Sequence, residues 1–263
     1  MSVVEAIILG IIQGITEFLP VSSSGHLELA QALFGNQNNS EGNLLFTIVV
    51  HGATALATIV VFRSDVWSIV RGLFQFTNNE SAQFSLRIVL STIPAALIGY
   101  FFEDTISSQF FGNTLMVGLM LWITAGLLYI TDKSIQNRAN VSLLNAWWIG
   151  IAQAFAILPG ISRSGATIAI SLLLGVARDR AARFSFLMVV PLIFGSMAKK
   201  ILDGGLEQEV LNLTPILAGF VAAFFSGYLA CQWMIALVKR SQMRYFAYYC
   251  VLVGTIALVT SLL

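Results

Sequence analysis

The sequence predicts an all-α integral membrane protein built as an inverted-topology repeat, with about six transmembrane helices and two re-entrant helical hairpins meeting at the bilayer midplane. Three observations predict it. Of 263 residues, 57% are hydrophobic and only 10% are charged, with a mean hydropathy of +0.83. Soluble domains carry about 25% charged residues, so this composition cannot furnish a water-facing surface. Two apolar regions are each interrupted by a turn rich in Pro, Ser and Gly, and the two interrupted regions resemble each other. The same numbers exclude an ordinary cytosolic enzyme and a disordered chain, and a net charge of +1 offers no footprint for nucleic acid.

The first apolar region runs from Val3 to Leu19. No Lys or Arg precedes it, it holds Glu5, Gln13 and Glu17, and it lacks a small-residue cleavage site, so it reads as mature structure and not as a signal peptide. It breaks at PVSSSGH (Pro20 to His26) and resumes through Phe34. Full spans follow at about 44–62, 84–103 and 112–131. His51 lies in the first of them and reads as a core hydrogen-bonding residue. The second interrupted region runs from Asn145 to Leu158, breaks at PGISRSG (Pro159 to Gly165) and resumes to Val176. Within it Trp147 and Trp148 suit an interfacial belt, and Arg178, Asp179, Arg180 and Arg183 suit a cytoplasmic flank. Spans at about 184–202, 213–238 and 245–263 complete the chain. Cys231 and Cys250 sit in apolar stretches, fit no metal-ligand spacing and read as packing residues.

The arm after each break is about ten residues, and a helix of that length reaches ~15 Å, half a bilayer. Each interrupted region is therefore expected to turn near the midplane and leave by the side it entered. Gly10, Gln13, Ser22, Ser24 and Gly25 recur 140 positions later as Gly150, Gln153, Ser162, Ser164 and Gly165, while Leu19-Pro20 recurs 139 later as Leu158-Pro159, a slip of one residue. An internal duplication explains this. The 263 residues then form one polytopic domain, with a first repeat at about 1–131 and a second at about 145–263.

Charge supplies the orientation. With both regions re-entrant, one face holds Arg63, Arg71, Arg87, Lys133, Arg138, Arg178, Arg180, Arg183, Lys239, Arg240 and Arg244, and the other only Lys199 and Lys200. That split puts the first face in the cytoplasm, both termini outside, and the opening of the first hairpin outside. Paired broken helices in inverted halves mark a binding site at the midplane.

Non-helical backbone survives at membrane depth where it lines a polar cavity. Short helices starting near Ser24 and Ser164 would aim N–H groups and positive dipole ends into it, an arrangement suited to phosphate. Arg163 adds a fork of donors matched to phosphate oxygens, or pairs with Glu17 to join the halves. Gln13 and Glu17, four apart on one helix face, could coordinate a hard divalent cation, and Glu17 could alternatively act as a base. Ser22 and Ser23 precede His26 by four and three residues, a hydroxyl–imidazole spacing that suits a nucleophile–base pair.

EAIILGIIQGITEFLPVSSSGHL and LPGISRSGATI resemble the two signature motifs of the BacA-type undecaprenyl pyrophosphate phosphatases, the bacitracin-resistance family, and the likeness covers essentially the whole chain. The family's Glu/Gln-x3-Glu element falls on Gln13 and Glu17, in its Gln variant. Its Ser, Ser and His fall on Ser22, Ser23 and His26, and its second-motif Ser, Arg and Thr on Ser162, Arg163 and Thr167. The resemblance implies hydrolysis of undecaprenyl pyrophosphate to undecaprenyl phosphate and inorganic phosphate, recycling the carrier for peptidoglycan and other wall polymers and conferring bacitracin resistance. It implies Mg²⁺ or Ca²⁺ as cofactor and action at the outer face of the bacterial inner membrane.

In that scheme Ser23 is the nucleophile, His26 the rival nucleophile or base, Glu17 a metal ligand or proton acceptor, and Gln13 a second metal ligand. Arg163, Ser22, Ser24, Gly25, Ser162, Ser164, Gly165 and Thr167 hold the phosphates. The alternative is a flippase for polyprenyl phosphate using the same inverted-repeat site. PAP2-type lipid phosphatases also display Ser-Gly-His and Ser-Arg but need a His downstream, and no His follows Arg163. The expected partners are the lipid substrate and the bilayer, with no nucleic acid. A homodimer is the oligomeric partner expected.

Overall fold

Ser2 caps the first helix: its hydroxyl accepts the Glu5 N–H at 3.2 Å while the Glu5 carboxylate accepts the Ser2 N–H at 2.8 Å, a reciprocal box that satisfies two donors at once. The computed structural model describes residues 1–34, 40–75, 79–110, 112–132, 139–202, 213–240 and 242–262. Over them run α1 (Val3–Phe18), α2 (Ser23–Leu33), α3 (Ser40–Val61), α4 (Arg63–Leu73), α5 (Glu80–Phe110), α6 (Thr114–Asp132), α7 (Leu143–Phe155), α8 (Arg163–Leu173), α9 (Arg178–Leu202), α10 (Leu213–Lys239) and α11 (Met243–Leu262). Among the described residues the only extended pairing is an isolated bridge between Ala139 and Val176.

The protein is an all-helical membrane protein. Helices α5, α6, α9, α10 and α11 are long and apolar enough to cross a bilayer, and α3 bends by 82° into α4, giving a sixth span when that pair is counted as one. Helix α4 was not expected. Its apolar residues Val66, Ile69, Val70 and Leu73 recur with helical period inside a charged stretch that reads as a loop by composition. The two interrupted regions form α1–α2 and α7–α8. At 16, 11, 13 and 11 residues these helices reach only about 17–24 Å, short of the ~30 Å hydrocarbon core.

Lipid tails give apolar side chains no reason to leave them, so helices in a bilayer associate through close backbone packing. The chain is patterned for it. On α10 the exposed stripe is large (Leu217, Val221, Phe225, Leu229, Trp233), while the stripe buried on α1 is Gly219, Ala223 and Gly227. Helix α1 answers with Ala6, Gly10 and Gly14 at the same four-residue spacing. A Cβ on Gly14 would stand 2.6 Å from the Ala223 carbonyl oxygen and 2.7 Å from the Gly227 nitrogen. Helices α7 and α5 meet in the same manner, Gly150 resting on the Ser91 backbone, and α6 crosses α11 where Gly118 and Gly254 each face the other's carbonyl. These seams fix where α1 and α7 end, and therefore where the interrupting turns sit.

Phe18 locks the end of α1, its ring edge-on to Phe186 at 5.6 Å, with Phe62 beside Phe186 at 6.3 Å. Cys231 and Cys250 are free and buried, as expected of packing residues. The Arg178 cluster departs from a simple exposed flank. Arg178 is buried, 8% exposed, in the field of Asp132, while Arg183 pairs with Asp65 of α4 at 2.5 Å and stacks over Phe84. The cluster ties α9 to α4. Lys133 and Arg138, counted in the charge split, lie outside the described residues.

The α1–α10 seam yields a test. Gly14→Ala inserts a methyl where backbone already fills the space, and overpacking of that kind costs roughly 1–3 kcal/mol. Gly126 has no neighbour within 4 Å of its would-be Cβ, so Gly126→Ala is expected to be neutral or slightly stabilising by helix propensity. Thermal unfolding of both variants in one detergent checks this; equal midpoints would refute the close seam.

Candidate active site

The two turns share one local construction. Ser22 caps α2 by accepting the Gly25 N–H at 3.3 Å, and Ser162 caps α8 by accepting the Gly165 N–H at 3.1 Å. Ser22 and Ser24 hydroxyls lie 3.4 Å apart, and Ser162 and Ser164 hydroxyls 3.3 Å apart. The helices resume one residue earlier than the sequence suggests, at Ser23 and Arg163. The one-residue slip shows as a backbone difference. The second turn has an extra residue and reverses at Gly160, φ +96°, leaving Ser162 at φ −73°. The shorter first turn puts the left-handed conformation on Ser22 itself, φ 70°, a strain of order 1–3 kcal/mol held by the contacts around it.

Those contacts come from the other turn. Ser22 Oγ, 2% exposed, also accepts the Gly160 N–H at 3.2 Å, and Ser164 Oγ donates to the Leu19 carbonyl at 3.2 Å. Thr124 of α6 clamps the second turn, donating to the Gly160 carbonyl at 3.1 Å and accepting the Ser162 N–H at 3.0 Å. The turns touch, so the starts of α2 and α8 converge. The N–H groups of Ser23, Ser24, Arg163 and Ser164 belong to first helical turns and have no intrahelical acceptor; those of Gly25 and Gly165 are taken by the caps.

Glu17, 8% exposed, sits in the last turn of α1 beside this junction. Its Oε1 accepts Arg163 Nη2, and its Oε2 accepts Gln13 Nε2 at 2.9 Å and the Ser23 hydroxyl at 2.7 Å. His51 Nε2 stands 3.8 Å from the same oxygen. Ser23 and Arg163 occupy corresponding positions, each first in its helix and 140 apart, and both reach the one carboxylate. A cavity of about 10 Å³, the room of one water, adjoins Glu17 and Arg163 and is walled by Thr54, Thr58 and Ser185.

The structure thus brings together Gln13, Glu17, Ser23 and Arg163. Ser22, Ser24, Gly25, Ser162, Ser164 and Gly165 build the turns. Thr167 lies one turn further along α8, its hydroxyl donating to the Arg163 carbonyl at 2.8 Å and 2.5 Å from Ser185 Oγ. His26 has different partners from Ser23. Its Nδ1 donates to the Ser22 carbonyl at 2.8 Å, and its Nε2 accepts the Tyr249 hydroxyl at 2.9 Å, the rings parallel within 9°. His51 makes the expected core bond, Nδ1 to the Thr47 carbonyl at 2.8 Å, yet also faces Glu17, which its position in an apolar run did not reveal. Thr124, Ser185 and Tyr249 were missed altogether, since a lone hydroxyl in a span carries no positional signal.

No three His, Cys, Asp or Glu side chains cluster as a metal seat among the described residues. A hard cation does not require that set. Gln13 Oε1 is fully buried without a hydrogen-bond partner, on the same amide whose nitrogen touches Glu17. A buried amide oxygen left without a donor, one turn from a carboxylate on the same helix, is donor chemistry that Mg²⁺ and Ca²⁺ take, so the residue types fit the group.

A family model described as bacitracin resistance protein BacA matches residues 6–256. An undecaprenyl-diphosphatase of Christiangramia forsetii is 54% identical over 259 residues, covering 98% of each chain. One of Bacteroides fragilis is 46% identical, covering 98% of this chain and 97% of its own, and one of Parabacteroides distasonis is 45% identical over the full length of both.

The ion pair can be tested without assuming any activity. Removing one member of a buried pair strands the other charge, at a cost of roughly 3–5 kcal/mol. Arg163→Met and Glu17→Met are each expected to unfold far earlier than the parent in detergent, and the double variant to regain much of the loss. Additive losses would show that the two charges are not coupled.

Proposed function

The chain belongs to the bacitracin resistance protein BacA family, and on that premise we propose that it is an undecaprenyl-diphosphatase, a membrane hydrolase that converts undecaprenyl pyrophosphate to undecaprenyl phosphate and inorganic phosphate. The product is the lipid carrier that wall-polymer synthesis consumes, and its regeneration is the resistance to bacitracin that the family's name records. The relatives' names favour hydrolysis over polyprenyl phosphate transport.

One observation carries the residue assignment: the Ser23 hydroxyl donates at 2.7 Å to a carboxylate that Arg163 also holds. Ser23 Oγ attacks the terminal phosphorus while its proton passes to Glu17; the bridging P–O bond breaks and undecaprenyl phosphate departs. Water then attacks the phosphoserine, the Ser23 Oγ–P bond breaks, and the proton held on Glu17 returns to Ser23 Oγ as inorganic phosphate leaves. Arg163 and the first-turn N–H groups of α2 and α8 hold the charge developing on the transferred phosphoryl group. Ser22, Ser24, Ser162, Ser164 and Thr167 shape and support that cradle. In its alternative role Glu17, with Gln13, would hold a divalent cation, Mg²⁺ or Ca²⁺, that neutralises phosphate oxygens. His26 is the second candidate nucleophile, its ring oriented by Ser22 and Tyr249 with Nε2 as the acceptor nitrogen.

The same reading includes an inverted repeat with two re-entrant hairpins. Matched packing supports it: α1 lies on α10 as α7 lies on α5, α3 on α10 as α9 on α5, and α6 on α11. The charge distribution supports external termini and a first hairpin opening outward, in the plasma membrane of a bacterium.

Phosphate release from undecaprenyl pyrophosphate by purified protein tests the assignment. Ser23→Ala is expected to lose at least about 10³-fold in kcat, and Arg163→Ala about 10²–10³-fold; a chelator abolishes release, and Mg²⁺ or Ca²⁺ restores it. Release surviving in Ser23→Ala but lost in His26→Ala would transfer the nucleophile to His26. For orientation, a cysteine appended at the C-terminus should react with an impermeant maleimide in intact spheroplasts. Labelling confined to inside-out vesicles would reverse the topology.

A further inference from the structure

Resting on the reading that Ser23 receives the terminal phosphate, we propose that Tyr249 is a substrate-binding residue whose hydroxyl transfers its hydrogen bond from His26 to the lipid-side phosphate of undecaprenyl pyrophosphate. The starting point is fixed by chemistry. The Ser22 carbonyl can only accept, so His26 Nδ1, 2.8 Å away, carries a proton. The neutral ring keeps a lone pair on Nε2, and the Tyr249 hydroxyl donates to it at 2.9 Å, the rings parallel within 9°. A phosphate oxygen is an anionic acceptor, and it takes an O–H in a shorter and stronger bond than a neutral imidazole does. The exchange needs one hydroxyl to turn and no break in the fold, because the Tyr249 ring is 41% exposed.

Its placement suits a phosphate better than packing. Helices α6 and α11 cross at Gly118 and Gly254, and each sends groups to one turn. From α6, Thr124 binds backbone of the second turn, the Gly160 carbonyl and the Ser162 N–H. From α11, the fully buried Cys250 also meets backbone, its thiol 3.8 Å from the Pro20 carbonyl. Tyr249, the residue before it, offers its hydroxyl to a side-chain nitrogen at a half-exposed edge. His26 follows Ser23 by three residues on α2, about 4.5 Å further along the helix and about 60° round it. A diphosphate laid along α2 from Ser23 therefore has its second phosphate at the level of the His26–Tyr249 pair. Beyond Tyr249 the exposed residues Leu252, Ile256 and Val259 continue at helical spacing, an apolar strip along which a prenyl chain leads away.

The phosphate assigned to Tyr249 stays on the lipid after cleavage, which separates Tyr249 from the groups around Ser23. With the purified full chain, Tyr249→Phe keeps the ring and is expected to raise KM for undecaprenyl pyrophosphate about tenfold with little change in kcat. The inhibition constant of undecaprenyl phosphate should rise by a similar factor and that of inorganic phosphate should stay the same. The chain holds two histidines, His26 and His51, so a ¹⁵N-histidine spectrum in detergent is assigned by comparison with His51→Gln. Undecaprenyl phosphate should move the His26 Nε2 resonance from that of an acceptor nitrogen toward that of an unbonded one, as Tyr249→Phe does by itself; inorganic phosphate should leave it in place. Unaltered inhibition by undecaprenyl phosphate in Tyr249→Phe, a parallel loss for inorganic phosphate, or an Nε2 resonance indifferent to undecaprenyl phosphate overturns the assignment. A parent that releases no phosphate yet shows the Nε2 shift with undecaprenyl phosphate would sink the hydrolase reading and leave Tyr249 in contact with a lipid phosphate.

Discussion

The ion pair between Glu17 and Arg163 is the interaction on which the rest of the structure depends. Neither charge belongs in an apolar interior by itself, and a buried ion left alone costs several kcal/mol. Each is placed by a helix that stops short: Glu17 by the end of α1, Arg163 by the start of α8. The small-residue seams hold those helices within reach, since α1 cannot bring Glu17 to Arg163 unless Gly10 and Gly14 let it lie directly on α10. The turns are the other half of the same constraint. Broken backbone away from water must find hydrogen bonds, and here each turn supplies them to the other, Gly160 N–H to Ser22 and Ser164 to the Leu19 carbonyl.

The two interrupted regions are most informative where their likeness fails. Gln13 and Gln153 correspond, are both buried, and each leaves its Oε1 without a partner. Four residues after the first is Glu17, but four after the second is Ile157. The first residues of the resumed helices have diverged to Ser23 and Arg163, a group that can lose a proton and one that cannot. One half keeps the acid and the hydroxyl, the other supplies the permanent cation, and all of it meets at a single carboxylate. Were the halves identical at these positions, two like charges would confront each other across the junction.

Much of this was legible in the sequence because it rests on local chemistry. The breaks at Pro20 and Pro159, the serine caps and the shortness of the arms follow from helix physics alone, and Gln13 and Glu17 share a face by spacing. Composition made the membrane class plain. What was not legible depends on tertiary placement. His51 sits in VVHGATAL, a context that states burial and nothing about which neighbour shares it. Thr124 and Tyr249 reach the turns from α6 and α11, more than thirty and two hundred residues from their partners. Helix α4 was hidden because its charges, which read as loop, are spent on anchoring: Asp65 pairs with Arg183 on α9.

The slip of one residue between the motifs ties sequence to strain most directly. A turn with one residue fewer must reverse within less chain, and lacking a glycine where the second turn has Gly160, it imposes a left-handed backbone on Ser22. That conformation is costly for a non-glycine residue, and Gly at the same position would relieve it. Serine is nevertheless what stands there, because Ser22 Oγ does two things a glycine cannot. It caps α2 through Gly25 and accepts the Gly160 N–H across the junction. The strain is therefore offset by the hydrogen bonds that hold the two turns in register, and register is what delivers Ser23, the next residue along, to within 2.7 Å of Glu17.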